Sequence, residues 1–456
     1  MTSVLLAATA IAVNSVVQNP TTRAVTVDYT LSGDPAVVTM GAVTTNGAAM
    51  AEADLLVVSG DANRLLQPGT YTLTWQPPAS AGFGPFAANA VEVSLKAWAT
   101  NAPPDYMVIN LAQPSRGVRY YTCAEALPGG VTDRRYKTDY LVMRRIPAAG
   151  VTWRMGSPTG ETGRVGGSAE STHYVRLTDD FYLAVYETTC RQYYWLYGSS
   201  PTTAPNNIDM RPYGAYDWDI PVSVLSYANV RGNQHGDKCT LTGDALKEPF
   251  KIWPQNGHDI VPNGTKCSVC NKSSSCILAK VRELWPDFLF DLPTEAQWEF
   301  ACRGGSADYE VRPGSPSDLG EIAWYVSNSS NETAQSVTAV PHPVGLKAPN
   351  GYGLYDMLGN MAEWTLDGYG TFLNTDEVVE NNPKGSELPW KRDDSVSKRV
   401  LRGGCFMTTA GYVRSAGRQG LNLFFTSCNV YSPTTASAVY QNVCGLRLWL
   451  PCHAVK

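Results

Sequence analysis

Four thiols crowd one stretch of the sequence. Cys239, Cys267, Cys270 and Cys276 all fall within residues 229–285, and Cys267 and Cys270 have the C-x2-C spacing at which two thiolates reach one zinc ion. In an oxidising compartment the same four would form two disulfides. Cys239 is distant and no second C-x2-C follows, so disulfides or free thiols are the expected state, with zinc as the open alternative. Asn360 and Glu363 offer hard oxygen donors three residues apart, which suits a structural Ca2+ once backbone carbonyls are added. The competing reading is that both side chains hydrogen-bond the loop backbone. His173, His235, His258, His342 and His453 are scattered, with no i, i+4 pair for a helical metal site. No serine or cysteine sits in a nucleophile motif, so a hydrolytic triad has no anchor.

A second chemistry is recognition rather than catalysis. Residues Cys405 to Cys444 carry two charges, Arg414 and Arg418, and no Asp, Glu or Lys. Phe406, Tyr412, Phe424, Phe425, Tyr431 and Tyr440 alternate there with small polar residues, among them Thr408, Asn422 and Asn429, and with Met407. Rigid rings among adaptable polar residues give contact area at low entropic cost, as in antibody paratopes. No helical or strand period runs through the stretch, so ligand-binding loops are expected at these ten positions. Ordinary buried loop packing is the plainer reading.

These residues need elements to position them. Val25, Val27, Tyr29 and Leu31 alternate with polar partners; Tyr71, Leu73 and Trp75 repeat the pattern, as do Val91, Val93, Leu95 and Ala97. Residues 13–112 therefore read as a small immunoglobulin-like β-sandwich without His or Cys, a spacer or adhesion module rather than an active site. A Pro- and Gly-punctuated stretch follows, with one strand expected at Tyr106–Leu111 and a linker at 113–137. Residues 138–456 mix short helices with long loops. Thr189 to Gln192 and Thr294 to Gln297 have capping-box spacing, and Pro293 before the second with Gly304-Gly305 after it bounds a helix that turns Trp298, Ala301 and Cys302 toward a core.

Composition narrows the classes. At 456 residues the chain is long enough for two or three domains, and 43% hydrophobic residues can bury a sizeable core. A net charge of −5 argues against a nucleic-acid partner. No apolar run reaches about 18 residues, so no transmembrane segment is expected. Residues 1–12 (MTSVLLAATAIA) look like the end of a secretory signal without its basic region, or else enter the first strand.

Several motifs occur in the order of one known family. Arg145-Ile146-Pro147 and Met155-Gly156-Ser157 come first, then DFYLAVYETT (180–189) and Pro221-Val222 with Ser226-Tyr227. LPTEAQWEFACRGG (292–305), GYGLYDMLGNMAEWT (351–365), RVLRGG (399–404) and CGLRL (444–448) complete the series. From Tyr140 to Pro451 the chain resembles the formylglycine-generating-enzyme, or sulfatase-modifying-factor, family. The resemblance implies an α+β domain of divergent C-type-lectin fold, low in regular secondary structure, with structural calcium near Asn360 and Glu363. It also implies a copper-binding cysteine pair after RGG that converts a sulfatase cysteine to formylglycine.

Here the expected first position of that pair falls on Thr408 and the second near Tyr412–Val413; Cys405 stands three residues early, and the next cysteine is Cys428. Because Cu(I) takes soft thiolates, no copper is expected. Nor do the scattered histidines match the iron site of the related sulfoxide synthases. The arrangement of RGG, RSAGR and GLRL around unlike residues also resembles the variable proteins of diversity-generating retroelements. The expectation is a secreted or cell-surface, bacterial-type, non-catalytic protein that binds a protein or surface ligand through 405–444; the alternative is the formylglycine-generating oxidase.

Overall fold

The computed structural model describes residues 9–45, 47–78, 91–113, 117–161, 163–164, 170–197, 218–223, 225, 227, 230, 277–306, 319–330, 339–370, 379–383, 398–422, 428–431, 438–441 and 443–453. The chain divides into two compact units, Met1–Tyr136 with Cys452–Lys456, and Lys137–Pro451.

The first unit is the sandwich. Its strands are β1 (Ala10–Gln18), β2 (Val25–Ser32), β3 (Ala36–Thr45), β4 (Ala48–Ala49), β5 (Val58–Gly60), β6 (Leu65–Leu66), β7 (Gly69–Trp75) and β8 (Val91–Ala99). One sheet runs β1-β2-β7-β5; in the other, β3 pairs with β4, β6 and β8. Val25, Val27, Tyr29, Leu73 and Trp75 are fully buried between them, as the period-2 pattern requires. β8 differs, because its inward-facing Val91, Val93, Leu95 and Ala97 are only half-buried. β9 (Tyr106–Asn110) and β10 (Val118–Tyr121) form an antiparallel pair. The stretch 113–137 thus holds β10 and a 3-10 turn at Ala124–Ala126, more structure than its Pro and Gly content suggested.

The second unit is sheet-rich with few short helices, an α+β domain. β11 (Tyr140–Ile146), β14 (Phe181–Ala184) and β22 (Trp449–Pro451) pair antiparallel in that order. β12 (Thr152–Met155) and β13 (His173–Arg176) form a ribbon that β16 (Glu380–Asn381) joins in parallel. A third sheet runs β18 (Arg418–Asn422), β17 (Lys398–Arg402), β15 (Ala362–Gly368), β21 (Cys444–Gly445). β19 (Cys428–Tyr431) and β20 (Ala438–Gln441) make a hairpin.

Both capping boxes form. Thr294 Oγ1 accepts from Gln297 N at 3.2 Å and Gln297 Oε1 accepts from Thr294 N at 2.9 Å, opening the helix Glu295–Cys302. Thr189 and Gln192 exchange the same two bonds at 3.2 Å each ahead of the helix Cys190–Tyr197. Trp298, Ala301 and Cys302 are buried in the main core with Phe181, Leu183 and Leu354.

Candidate functional site: a loop face held by buried arginines

β17 delivers the chain into the segment that starts at Cys405. Gly403 and Gly404 adopt φ of 88° and 72°, turning the backbone where a Cβ at Gly404 would meet Thr408 Oγ1 at 2.8 Å. The turn is closed by Thr408 itself. Its Oγ1 accepts from Cys405 N at 2.9 Å and donates to Cys405 O at 2.8 Å, while Thr408 O accepts from Val326 N at 3.1 Å. Phe406 is fully buried, its N–H bonded to Asn360 O at 2.9 Å and its carbonyl accepting from Ser329 Oγ at 2.6 Å.

This corrects two of the expected ligand contacts. Phe406 and Thr408 lie beneath the surface, one as a core ring and the other as a turn staple. Met407 is half-buried, and Tyr412 is exposed at 42%. Asn422 ends β18; Phe424 and Phe425 lie outside the described residues, as do Cys239, Cys267, Cys270 and Cys276. The segment is also more regular than a set of loops. Asn429 pairs with Tyr440 and Tyr431 with Ala438 across β19 and β20. Val430 pairs with Val439. Branched and aromatic residues at alternate positions favour this pleated pairing.

The segment's two charges are not on display. Arg414 is buried and pairs with Glu170 at 2.8 and 3.0 Å and with Glu161 at 2.9 Å, its Nε donating to Gly411 O. Arg418, also buried, grips Glu295 through two 2.7 Å bonds and donates to Gly370 O. Arg402, one strand away, reaches Glu299 at 2.8 Å and Ser415 O at 2.8 Å. Burial alone would raise the Glu299 carboxyl, but the Arg303 and Arg402 guanidiniums outweigh it and hold it at about 2. Asp367 accepts from Glu295 N at 2.5 Å; burial and then the Glu295 charge push it up to about 7.

Sequence reading missed the carboxylate half of this lattice. Glu299 and Arg303, four apart on a helix, were its one local signal. Glu161, Glu170 and Glu295 meet their arginines across 253, 244 and 123 residues of chain.

The residues expected to hold calcium do not fit it. Both Glu363 oxygens are taken by Arg447 at 2.7 to 3.1 Å, and Oε2 also accepts from Trp298 Nε1 at 2.6 Å. A cation there would face a fixed guanidinium whose other hydrogens bond Ala184 O, Val185 O and Tyr355 O. Asn360 Oδ1 accepts from His342 N at 3.0 Å, and its Nδ2 donates to Glu187 Oε2 at 2.7 Å. In this loop Asp356 Oδ1 is buried without a hydrogen-bond partner, and burial raises that carboxyl to about 6. Glu187 is raised well above its usual range by burial and then by the Asp356 and Glu363 charges. The family's copper site does not fit either: a bonded hydroxyl stands at Thr408 and a buried Val413 beyond it.

Comparison with known proteins agrees with this architecture. The model of the sulfatase-modifying factor enzyme 1-like domain matches residues 146–430, more than half of the chain. The formylglycine-generating enzyme of Mus musculus is 30% identical over 166 residues, 33% of this chain and 40% of that one. The serine/threonine-protein kinase pkn1 of Chlamydia pneumoniae is 34% identical over 131 residues, 29% of this chain and 18% of the kinase. The chain thus spans less than half the length of these two relatives. Among solved structures, Treponema denticola variable protein 1 is 22% identical with a TM-score of 0.42, covering 68% of this chain and 95% of that one. PvdO from Pseudomonas aeruginosa is 17% identical with a TM-score of 0.43, covering 68% and 94%. With its ordered motifs, and with a match through most of its second unit, this chain belongs to the sulfatase-modifying factor enzyme 1-like domain family.

Proposed function

We propose that the chain is a secreted or surface-exposed, non-catalytic binding protein that uses the family scaffold to present residues 405–444 to a protein or surface ligand. One observation carries the reading: both charges of that segment are spent inward on Glu161, Glu170 and Glu295. What the segment offers a partner is therefore neutral, with Tyr412 exposed. Such a surface binds by ring packing and amide or hydroxyl bonds, and salt weakens it little. The Thr408 turn supports the same view, since its hydroxyl is committed to backbone where the family's oxidases need a thiolate.

The test is direct. The full chain is incubated with Cu(I), oxygen and a Cys-x-Pro-x-Arg peptide, and the peptide cysteine is followed by mass spectrometry. No mass change is expected; conversion to formylglycine would overturn the reading in favour of the oxidase. A narrower version is that retroelement diversification supplies the segment's sequence. It is favoured by the burial of the framework residues Arg414 to Arg418 beside the exposed Tyr412. It requires a reverse transcriptase and a near-copy of the 3′ coding stretch, differing at template adenines, in the neighbouring DNA. Their absence removes it.

A further inference from the structure

A pocket of about 350 Å3 lies in the second unit, and no residue of the 405–444 segment lines it. One wall is the end of the helix Glu295–Cys302 with the turn after it, and the other is the loop from Ala348 to Gly351. Asn350 staples the two walls. Its Nδ2 donates to Ala301 O at 2.8 Å and to Cys302 O at 3.1 Å, while its Oδ1 accepts from Tyr352 N at 3.0 Å and Leu354 N at 3.1 Å. The pocket is therefore formed before anything enters it, as small-molecule sites usually are. Ile322, Leu354, Met357 and Leu358 make much of its lining apolar.

Two polar side chains of the lining are already engaged. Both ends of the Asn350 amide are bonded as described, and Arg303 donates to Glu299 Oε1 and to Gly156 O. Asp356, also in the lining, differs from them. It is 2% exposed, its Oδ2 accepts from Gly345 N at 2.6 Å, and its Oδ1 has no hydrogen-bond partner. A carboxylate oxygen removed from water without a partner is costly. The cations whose charge it feels, Arg447 and Lys137, do not bond it. Arg447 has given its hydrogens to Glu363, Ala184 O, Val185 O and Tyr355 O, and the Lys137 ammonium lies over the Tyr186 ring.

We propose that this pocket binds a small apolar molecule carrying a primary amine, whose ammonium donates to Asp356 Oδ1. Size and lining set the body of the ligand. The volume takes roughly one ring with a short arm, and the apolar wall disfavours a sugar or phosphate, whose polar groups would be left without partners. The head must donate, because an ionised carboxylate only accepts. A charged donor bonds such an oxygen more strongly than a neutral one, and it also balances the buried charge.

Calorimetric titration of the full chain with benzylamine, benzyl alcohol and benzoate reads the site. Benzylamine is expected to bind at least about tenfold more tightly than benzyl alcohol, and benzoate not to bind. Asp356→Asn keeps an acceptor for the Gly345 N–H and removes the charge, so it should weaken benzylamine about tenfold and leave benzyl alcohol nearly unchanged. Ala348→Trp places a ring at an exposed position of the lining and should weaken both. Melting temperatures close to the parent's show that both variants are folded. Benzylamine that binds the parent no better than benzyl alcohol, or binds either variant as tightly as the parent, would overturn the proposal. So would binding of calcium chloride in place of benzylamine that Asp356→Asn abolishes, since the oxygen would then belong to a metal ion.

Discussion

Arg418 and Glu295 face each other through two bonds of 2.7 Å, joining β18 to the first residue of the helix Glu295–Cys302. The pair is sealed from water, so both charges depend on each other. It anchors the 405–444 segment at the start of β18, 123 residues after the glutamate that holds it.

Replacing Arg418 with methionine keeps the volume and leaves Glu295 with a charge that Arg402 alone must balance. The expected cost is about 3 kcal/mol, read as a lower urea midpoint. Arg418→Lys should recover only part, because an ammonium cannot make the paired fork. An Arg418→Met variant as stable as the parent would contradict the role given to this pair.

Stability should fall as pH rises from about 4 to about 7. Asp356 and Asp367 have folded values of about 6 and about 7 against an ordinary 3.8, so the folded chain holds protons that the unfolded chain has released. Their contribution is complete below the ordinary value and lost as pH climbs through the folded one. Glu299 acts the other way: held at about 2 against an ordinary 4.5, it stabilises above 4.5 and loses that contribution as pH drops toward 2. Melting curves of Asp367→Asn should show a flatter decline between pH 5 and 7 than the parent, and an unchanged slope would refute the assignment.

Thr408→Val keeps the shape of the side chain and removes its hydroxyl. The Cys405 N–H then loses its acceptor inside the protein, at a cost of about 1–3 kcal/mol. Hydrogen exchange at the Cys405 amide should accelerate relative to the amides of β17. Thr408→Cys should lose the same bonds without gaining copper affinity, because the position beyond it is Val413.

Gly359→Ala tests the turn under β15. The residue has φ of 78°, and an added methyl would lie 2.1 Å from Trp324 O, against backbone that cannot swing away. The loss should exceed about 2 kcal/mol from conformation and overlap together, visible as a lower melting temperature or as insoluble expression. A neutral substitution would show that this turn relaxes.

The readable parts of the sequence were those governed by neighbours a few residues away. The alternation in β2 and β7 became buried faces, and Thr294 with Gln297 became a capping box, because period and cap are local physics. Motif order was equally legible and gave the family. Phe406 was misread for a physical reason: a ring among small polar residues looks the same whether its environment is solvent or Ser329 and Asn360, and those neighbours arrive from 77 and 46 residues away. Glu363, expected either to ligate calcium or to hydrogen-bond its loop, receives the guanidinium of Arg447, 84 residues on. Arg414 and Arg418 stood out as lone charges, yet nothing local identified the glutamates that receive them.

β14 finds its second neighbour in β22, where Phe181 pairs with Pro451 and Leu183 with Trp449. A ribosome therefore releases one side of that sheet some 270 residues ahead of the other. Until Trp449 emerges, a fully apolar strand waits with a bare edge, and early truncations should be sticky rather than merely shorter. The fixed surroundings of the 405–444 segment are likewise finished only once β22 has been made.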